Sequence, residues 1–158
     1  MQRLLLKDGF ENRFELSSMP HVDGIITPMN TQKFSGALIK KKGKVLLVRE
    51  RHSEARGLWS FPLGHVEERE TLVKAAEREA GEETGFVVSV TKKVKTKTIF
   101  ASEFKSSHKF SKGKIQLTIF KGKIGNGRYE KAELKHRWFA IKEIGVVKLR
   151  GSWMKAFL

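Results

Sequence analysis

The chain has 158 residues, 39% hydrophobic and 31% charged, the size and composition of one globular domain with a hydrophobic core and no room for a second. It has no cysteine, which excludes disulfides, thiolate catalysis and Cys-ligated zinc or iron–sulfur sites and leaves oxygen or imidazole to hold any metal. The formal net charge of +15 favours a polyanionic partner, nucleotide or RNA, although a basic surface also serves solubility alone.

Residues 1–32 hold two of the three prolines and little regular periodicity, and are expected to form an N-terminal extension packed on a domain of residues 33–158. The opening apolar run is too short and too soon interrupted for a signal peptide, and no stretch of 18 apolar residues follows, so a cytoplasmic protein without a membrane partner is expected. From Lys33 the pattern is strand-like. Ser35 to Lys40, a turn ending at Gly43, and Lys44 to Glu50 together predict a hairpin, followed by a polar loop to Gly57.

Thr71 to Thr84 reads as a helix: Leu72, Val73, Ala76 and Ala80 make an apolar stripe, Thr71 suits the N-cap, and Gly85 suits the left-handed residue after the end. Strands return afterwards. Phe86 to Phe100 and Lys114 to Ile124 alternate, a Gly125-Asn126-Gly127 turn leads to a strand around His136 to Ala140, and Ser152 to Leu158 suggests a short amphipathic helix. Strands on both sides of a central helix, with another helix at the end, indicate a mixed sheet covered by helices, an α/β fold.

The helix carries the chemistry. Glu79, Glu82 and Glu83 stand at i, i+3 and i+4, so their carboxylates share a face near the C-terminal end. Like charges at that spacing cost about 0.2–0.5 kcal/mol per pair. Anions there also oppose the helix dipole, by about 0.3–1 kcal/mol each. A divalent cation would relieve both penalties, and hard oxygen ligands suit magnesium or manganese. On the triplet alone, a solvated acidic face balanced by Lys74 and Arg78 is the readier explanation.

The surrounding spacing tips the balance: Gly64, five residues, Glu70, seven residues, Arg78-Glu79, then Glu82-Glu83 and Gly85-Phe86. This resembles the Nudix box. Seven identities match, and chance would give that on the order of once in a million such chains at about 7% usage per residue type. Trp59 to Gly64 and Glu133 to Phe139 are also similar to the family. Leu63-Gly64 stands where a Gly-Gly doublet is commoner, and Ala80 where a bulky aliphatic residue is usual. Gly81 inside the helix should cost about 1 kcal/mol relative to alanine.

The resemblance implies a Nudix fold, a mixed sheet sandwiched between helices, and a loop–helix–loop that binds magnesium, or manganese, and directs water onto phosphorus in a nucleoside diphosphate-X compound. By position, the catalytic set would be Glu79, Glu82, Arg78 and Glu70, with Glu79 a candidate base and the Arg78–Glu70 pair orienting the carboxylates. The metal set would be Glu79, Glu82 and Glu83, the Leu63 carbonyl beside Gly64, and a further carboxylate from a downstream loop, Glu133 before Glu130. Arg49 and Arg51 resemble arginines that meet substrate phosphates. Trp59 and Phe61 could wall a base site or belong to the core. His65 and His108 show no metal-ligand spacing.

No proline follows Pro62, and the single tyrosine, Tyr129, lies far downstream, so the patterns of the family's ADP-ribose, NADH and diadenosine-polyphosphate hydrolases are absent. Elimination leaves a nucleoside triphosphate or similar small nucleotide as the expected substrate. The alternatives are an RNA 5′-end pyrophosphohydrolase or decapping enzyme, suggested by the charge and the basic stretch Lys105–Lys114, and a noncatalytic nucleotide- or RNA-binding module. Monomer and homodimer are equally open.

Overall fold

The computed structural model describes residues 31–105 and 112–158. The expected extension therefore lies outside the described residues, apart from its last two positions, as do His108 and most of the basic stretch around it. Those two positions, Thr31 and Gln32, already belong to the first strand.

Among the described residues seven strands form one mixed sheet. They are β1 (Thr31–Lys41), β2 (Lys44–Arg49), β3 (Trp59–Ser60), β4 (Leu63–His65), β5 (Phe86–Phe100), β6 (Lys114–Arg128) and β7 (Lys135–Ala140). The path runs β3-β2-β1-β6-β5, with β4 on β1 and β7 on β2. β1 and β6 are parallel, and the other pairs are antiparallel.

The expected hairpin is real but short. Lys42 and Gly43 both take positive φ, the backbone that a two-residue turn demands, yet β1 and β2 pair only at Lys40–Val45 and Lys41–Lys44. Beyond that they diverge, β1 to β6 and β2 to β7. The divergence follows from burial on both faces. Leu38, Val45 and Leu47 face one core with Phe61, Leu117, Ile119, Trp153 and Phe157, while Ala37, Ile39 and Leu46 face a smaller one with Ala80 and Val88.

Helix α1 (Leu72–Thr84) covers the smaller core. Thr71 caps it by accepting the Lys74 N–H at 3.2 Å, and Gly85, at φ 73°, ends it. The helix lies close to β1, so small residues make its buried face: Ala75, Ala76, Ala80, Gly81 and Thr84. Val73, expected in the apolar stripe, is instead 39% exposed. On the opposite face lie a single-turn helix, α2 (Ala101–Phe104), and at Ser152–Phe157 the short amphipathic helix expected there, which takes the 3-10 form and buries Trp153, Met154 and Phe157.

The Gly125-Asn126-Gly127 stretch is no hairpin turn. It lies inside β6, which continues to Arg128 opposite Phe86. Between the Phe86–Arg128 and Val88–Ile124 pairs β6 spends more residues than β5, and Gly127, at φ 93°, absorbs the irregularity.

Candidate active site

The loop after β4 and helix α1 bring the box residues together. Arg78 is the hub. Its Nε and Nη2 donate to Glu70 Oε1 and Oε2 at 2.9 and 3.0 Å, a bidentate fork, and Nη2 also donates to the His65 carbonyl at 3.1 Å. Its Nη1 donates to Glu79 Oε1 at 2.8 Å and to Glu82 Oε2 at 3.1 Å. Hydrogen bonding to Glu70 is the main influence raising the Arg78 pKa further, so the guanidinium is a fixed cation. Glu70 also accepts the Glu67 N–H at 3.1 Å, which locks the loop before the helix.

The segment Leu63-Gly64 lies over the carboxylates. A Cβ on Gly64 would fall onto the Glu79 carboxylate, so only glycine admits Glu79 there. The Leu63 N–H donates to Glu83 Oε2 at 3.1 Å. Leu63 thus meets Glu83 through its amide. Burial pushes the Glu79 carboxyl up against the opposing pull of Arg78. Glu83 is pushed well above the usual carboxylate range, by burial first and then by the negative charges of Glu50 and Glu79. In both, burial outweighs the groups that would hold the carboxylate charged.

Sequence reasoning missed Glu50 and its partner Arg150. Arg150 is buried, 7% exposed; its Nη1 donates to Glu50 Oε1 at 2.7 Å and its Nε to the Phe104 carbonyl at 2.9 Å, while the guanidinium stacks 4.0 Å from the Phe104 ring centroid. Burial raises Glu50 and lowers Arg150, and each opposes the other's shift. Period-two alternation was the available signal. With Arg49 and Arg51 outward, the residue between them turns inward.

Arg49 and Arg51 flank a cleft of about 680 Å³ that Glu50, Arg56, Glu133 and Lys135 also line. Arg49 Nε donates to the Gly57 carbonyl and Arg51 Nη1 to the Glu133 carbonyl, each at 3.4 Å. The loop before β7 docks on the end of α1, where the Glu133 and Leu134 N–H groups satisfy the Glu82 and Glu83 carbonyls at 2.9 and 3.2 Å. That docking brings Glu133 to the cleft. Glu130 lies on a different hollow, beside Gly85 and Arg128.

Two aromatic expectations separate. Phe61 is fully buried, edge-on to Trp153 and Phe157, so it is core and cannot wall a base site. Trp59 is half-buried, edge-on to Phe139 at 4.8 Å, and is tied through its backbone to Lys148 and Arg150. His65 bonds Gln32 at 2.8 Å. Gly81 now has its reason: a Cβ there would meet the Tyr129 ring at 2.7 to 2.9 Å.

The mixed sheet, the helix across one face and the loop–helix–loop that gathers the carboxylates define a Nudix fold. A family model described as NUDIX domain matches residues 29–158, and the chain belongs to that family. The 8-oxo-dGDP phosphatase NUDT18 of Danio rerio is 35% identical over 86 residues, 54% of this chain and 26% of that protein. The phosphatase NudJ of Escherichia coli is 48% identical over 48 residues, 30% of this chain and 31% of the other. The chain therefore spans about a quarter to a third of the length of these curated relatives. A NUDIX hydrolase structure from Nitrosomonas europaea matches with a TM-score of 0.67 at 21% identity over 80% of this chain and 85% of that one, a likeness of fold. No helix among the described residues is long and apolar enough to cross a membrane.

Proposed function

We propose that this chain is a divalent-metal-dependent pyrophosphohydrolase acting on a nucleoside diphosphate-X compound, with a nucleoside triphosphate or similar small nucleotide as its substrate. One observation carries the reading. Glu79, Glu82 and Glu83 each have one oxygen fixed by Arg78 or the Leu63 amide, and among the described residues the other oxygen of each has no hydrogen-bond partner. Those three oxygens are left available to a cation.

The donor chemistry fits a hard cation. The ligands are carboxylate oxygens, burial is the first cause of the raised pKa of Glu79 and Glu83, and glycine at position 64 lets the Glu79 carboxylate lie against the backbone of the loop. Among the described residues no three acidic, histidine or cysteine side chains are already spaced to hold an ion; Arg78 Nη1 stands between Glu79 and Glu82. Magnesium, or manganese, bound to Glu79, Glu82 and Glu83 would neutralise phosphate oxygens and sharpen a water as nucleophile. Leu63 and Glu133 complete the proposed ligand set.

The chain's own residues do the rest. The Arg78–Glu70 fork fixes the rotamers of Glu79 and Glu82, and Glu79, its carboxyl raised by burial, is the group suited to take a proton. Arg49 and Arg51 in the cleft supply donors to phosphate oxygens, and Trp59, paired with Arg49 across β2 and β3, is the remaining aromatic candidate for the base. The name of the relative NUDT18 adds oxidised purine nucleoside diphosphates to the candidates.

The test is release of phosphate and pyrophosphate from nucleoside triphosphates, 8-oxo-dGDP, ADP-ribose, dinucleotides and 5′-triphosphate RNA, each with magnesium, manganese or chelator. Metal-dependent cleavage of one small nucleotide is expected, lost in folded Glu79→Gln and Glu83→Gln variants. Cleavage of RNA alone would move the substrate to a 5′ end. Binding without cleavage across the panel would sink the hydrolase reading.

A further inference from the structure

The charge of the chain is not spread evenly. Strands β1, β5 and β6 carry three, four and four lysines or arginines and no aspartate or glutamate. Among the described residues none of these cations forms a salt bridge; the five present use Lys74, Arg78 and Arg150.

At one end of these strands Lys40, Lys121 and Lys123 surround a hollow of about 460 Å³ floored by Val94, Gly122 and Phe157. It shares no lining residue with the cleft beside the carboxylates. Alternation along the strands places it. Lys40 has the parity of Leu38, and Lys121 and Lys123 that of Leu117 and Ile119, so all three lie on the face carrying the large core, opposite α1. On β5, Lys95 and Lys97 stand opposite Ile119 and Leu117 and so share this face, while Lys93 stands opposite Phe120 and lies on the other.

We propose that this face is a second phosphate-recognising site, which holds the backbone of single-stranded RNA away from the hydrolytic cleft. Three arguments favour a polymer. Lys40, Lys121 and Lys123 with Lys95 and Lys97 put more positive charge on this face than one nucleotide could neutralise. Lysines on a sheet edge often serve only to block unwanted strand pairing, and β5 is an edge; but β1 and β6 are interior strands, where Lys40, Lys121 and Lys123 have no edge to guard. An anionic membrane is the weaker match, because none of the large exposed apolar side chains lines the hollow to insert among lipids. The inference stands independently of the hydrolase reading.

The test is fluorescence anisotropy of a labelled single-stranded RNA over a range of salt, with wild type, Lys121→Gln/Lys123→Gln, and the same double variant with Lys40→Gln added. For single strands each phosphate contact contributes about 0.7 to the slope of log K against log salt, so the double variant should lose about 1.4 and the triple about 2. Lys40 also donates to the Leu158 carbonyl at 3.0 Å, and the double variant keeps that tie, separating lost charge from a loosened C-terminus. Circular dichroism melts check folding, and turnover of a small nucleotide should be unchanged in both variants. An unchanged slope in the double variant overturns the proposal, as does absence of RNA binding by the wild type. Preference for phosphatidylserine vesicles over RNA, or full competition by inorganic triphosphate at equal phosphate concentration, would overturn it in favour of a lipid or a free anion.

Discussion

Arg78 holds Glu70 through two parallel hydrogen bonds, 2.9 and 3.0 Å, while its remaining donors reach Glu79, Glu82 and the His65 carbonyl. One planar guanidinium thus ties the loop to two acidic groups on the helix. A lysine has the charge without the fork. Arg78→Lys is expected to lower kcat at least tenfold, because Glu79 and Glu82 lose their fixed rotamers and repel each other. It should also cost about 1.5–3 kcal/mol of stability, the range for charged hydrogen bonds. Urea denaturation alongside turnover checks both; full activity at reduced stability would make Arg78 merely structural.

The same pair sets an acid limb. Hydrogen bonding from Arg78 holds the Glu70 carboxyl below its usual range. A depressed folded pKa means that the contribution is complete above the unfolded value, about 4.3. It is lost as pH falls through the folded value. Glu50, Glu79 and Glu83 are shifted upwards and act in the opposite sense. The comparison of wild type with Glu70→Gln therefore isolates the pair. The stability difference between them should shrink as pH drops from about 6 to about 2. A difference independent of pH in urea titrations would contradict the assignment.

Helix α1 holds a residue whose cost is visible in sequence and whose reason is not. Gly81 loses about 1 kcal/mol to alanine in propensity. The Tyr129 ring, 2.7 to 2.9 Å from a Cβ placed there, explains it. Gly81→Ala should destabilise by up to about 2 kcal/mol net, as overpacking outweighs propensity. In a Tyr129→Ala background the same change should stabilise by up to about 1 kcal/mol. A gain of stability in both backgrounds would show that the ring does not constrain the helix.

These residues mark what a sequence can disclose. The box was legible because its chemistry is local: Gly64, Glu70, Arg78 and the glutamates sit on one loop and one helix, where spacing fixes geometry. The caps at Thr71 and Gly85 were legible for the same reason. Phe61 was ambiguous because an aromatic beside a glycine loop faces substrate or core according to what covers it, and Trp153 and Phe157 come from the far end of the chain. The Gly125–Gly127 stretch carried turn residues, yet the long partner β5 keeps it in the sheet. The Glu50–Arg150 pair joins positions 100 residues apart, and no periodicity links them.

That pair permits the most severe test of how the cleft is supported. Glu50 lines the cleft, and its charge is balanced by Arg150, itself clamped by the Phe104 carbonyl and ring. Arg150→Met removes the cation and leaves a carboxylate alone in a desolvated place, which should cost about 3–5 kcal/mol. Adding Glu50→Gln should recover much of that loss, because the unpaired charge is the larger part of the penalty and an amide needs no counter-ion. Denaturant midpoints of the two single variants and the double give the coupling directly. Additive effects would mean that Glu50 finds another partner or water once Arg150 is gone. Strong coupling, with turnover still reduced in the stable double variant, would mean that the Glu50 charge, besides stabilising the fold, shapes the field in which Glu83 works.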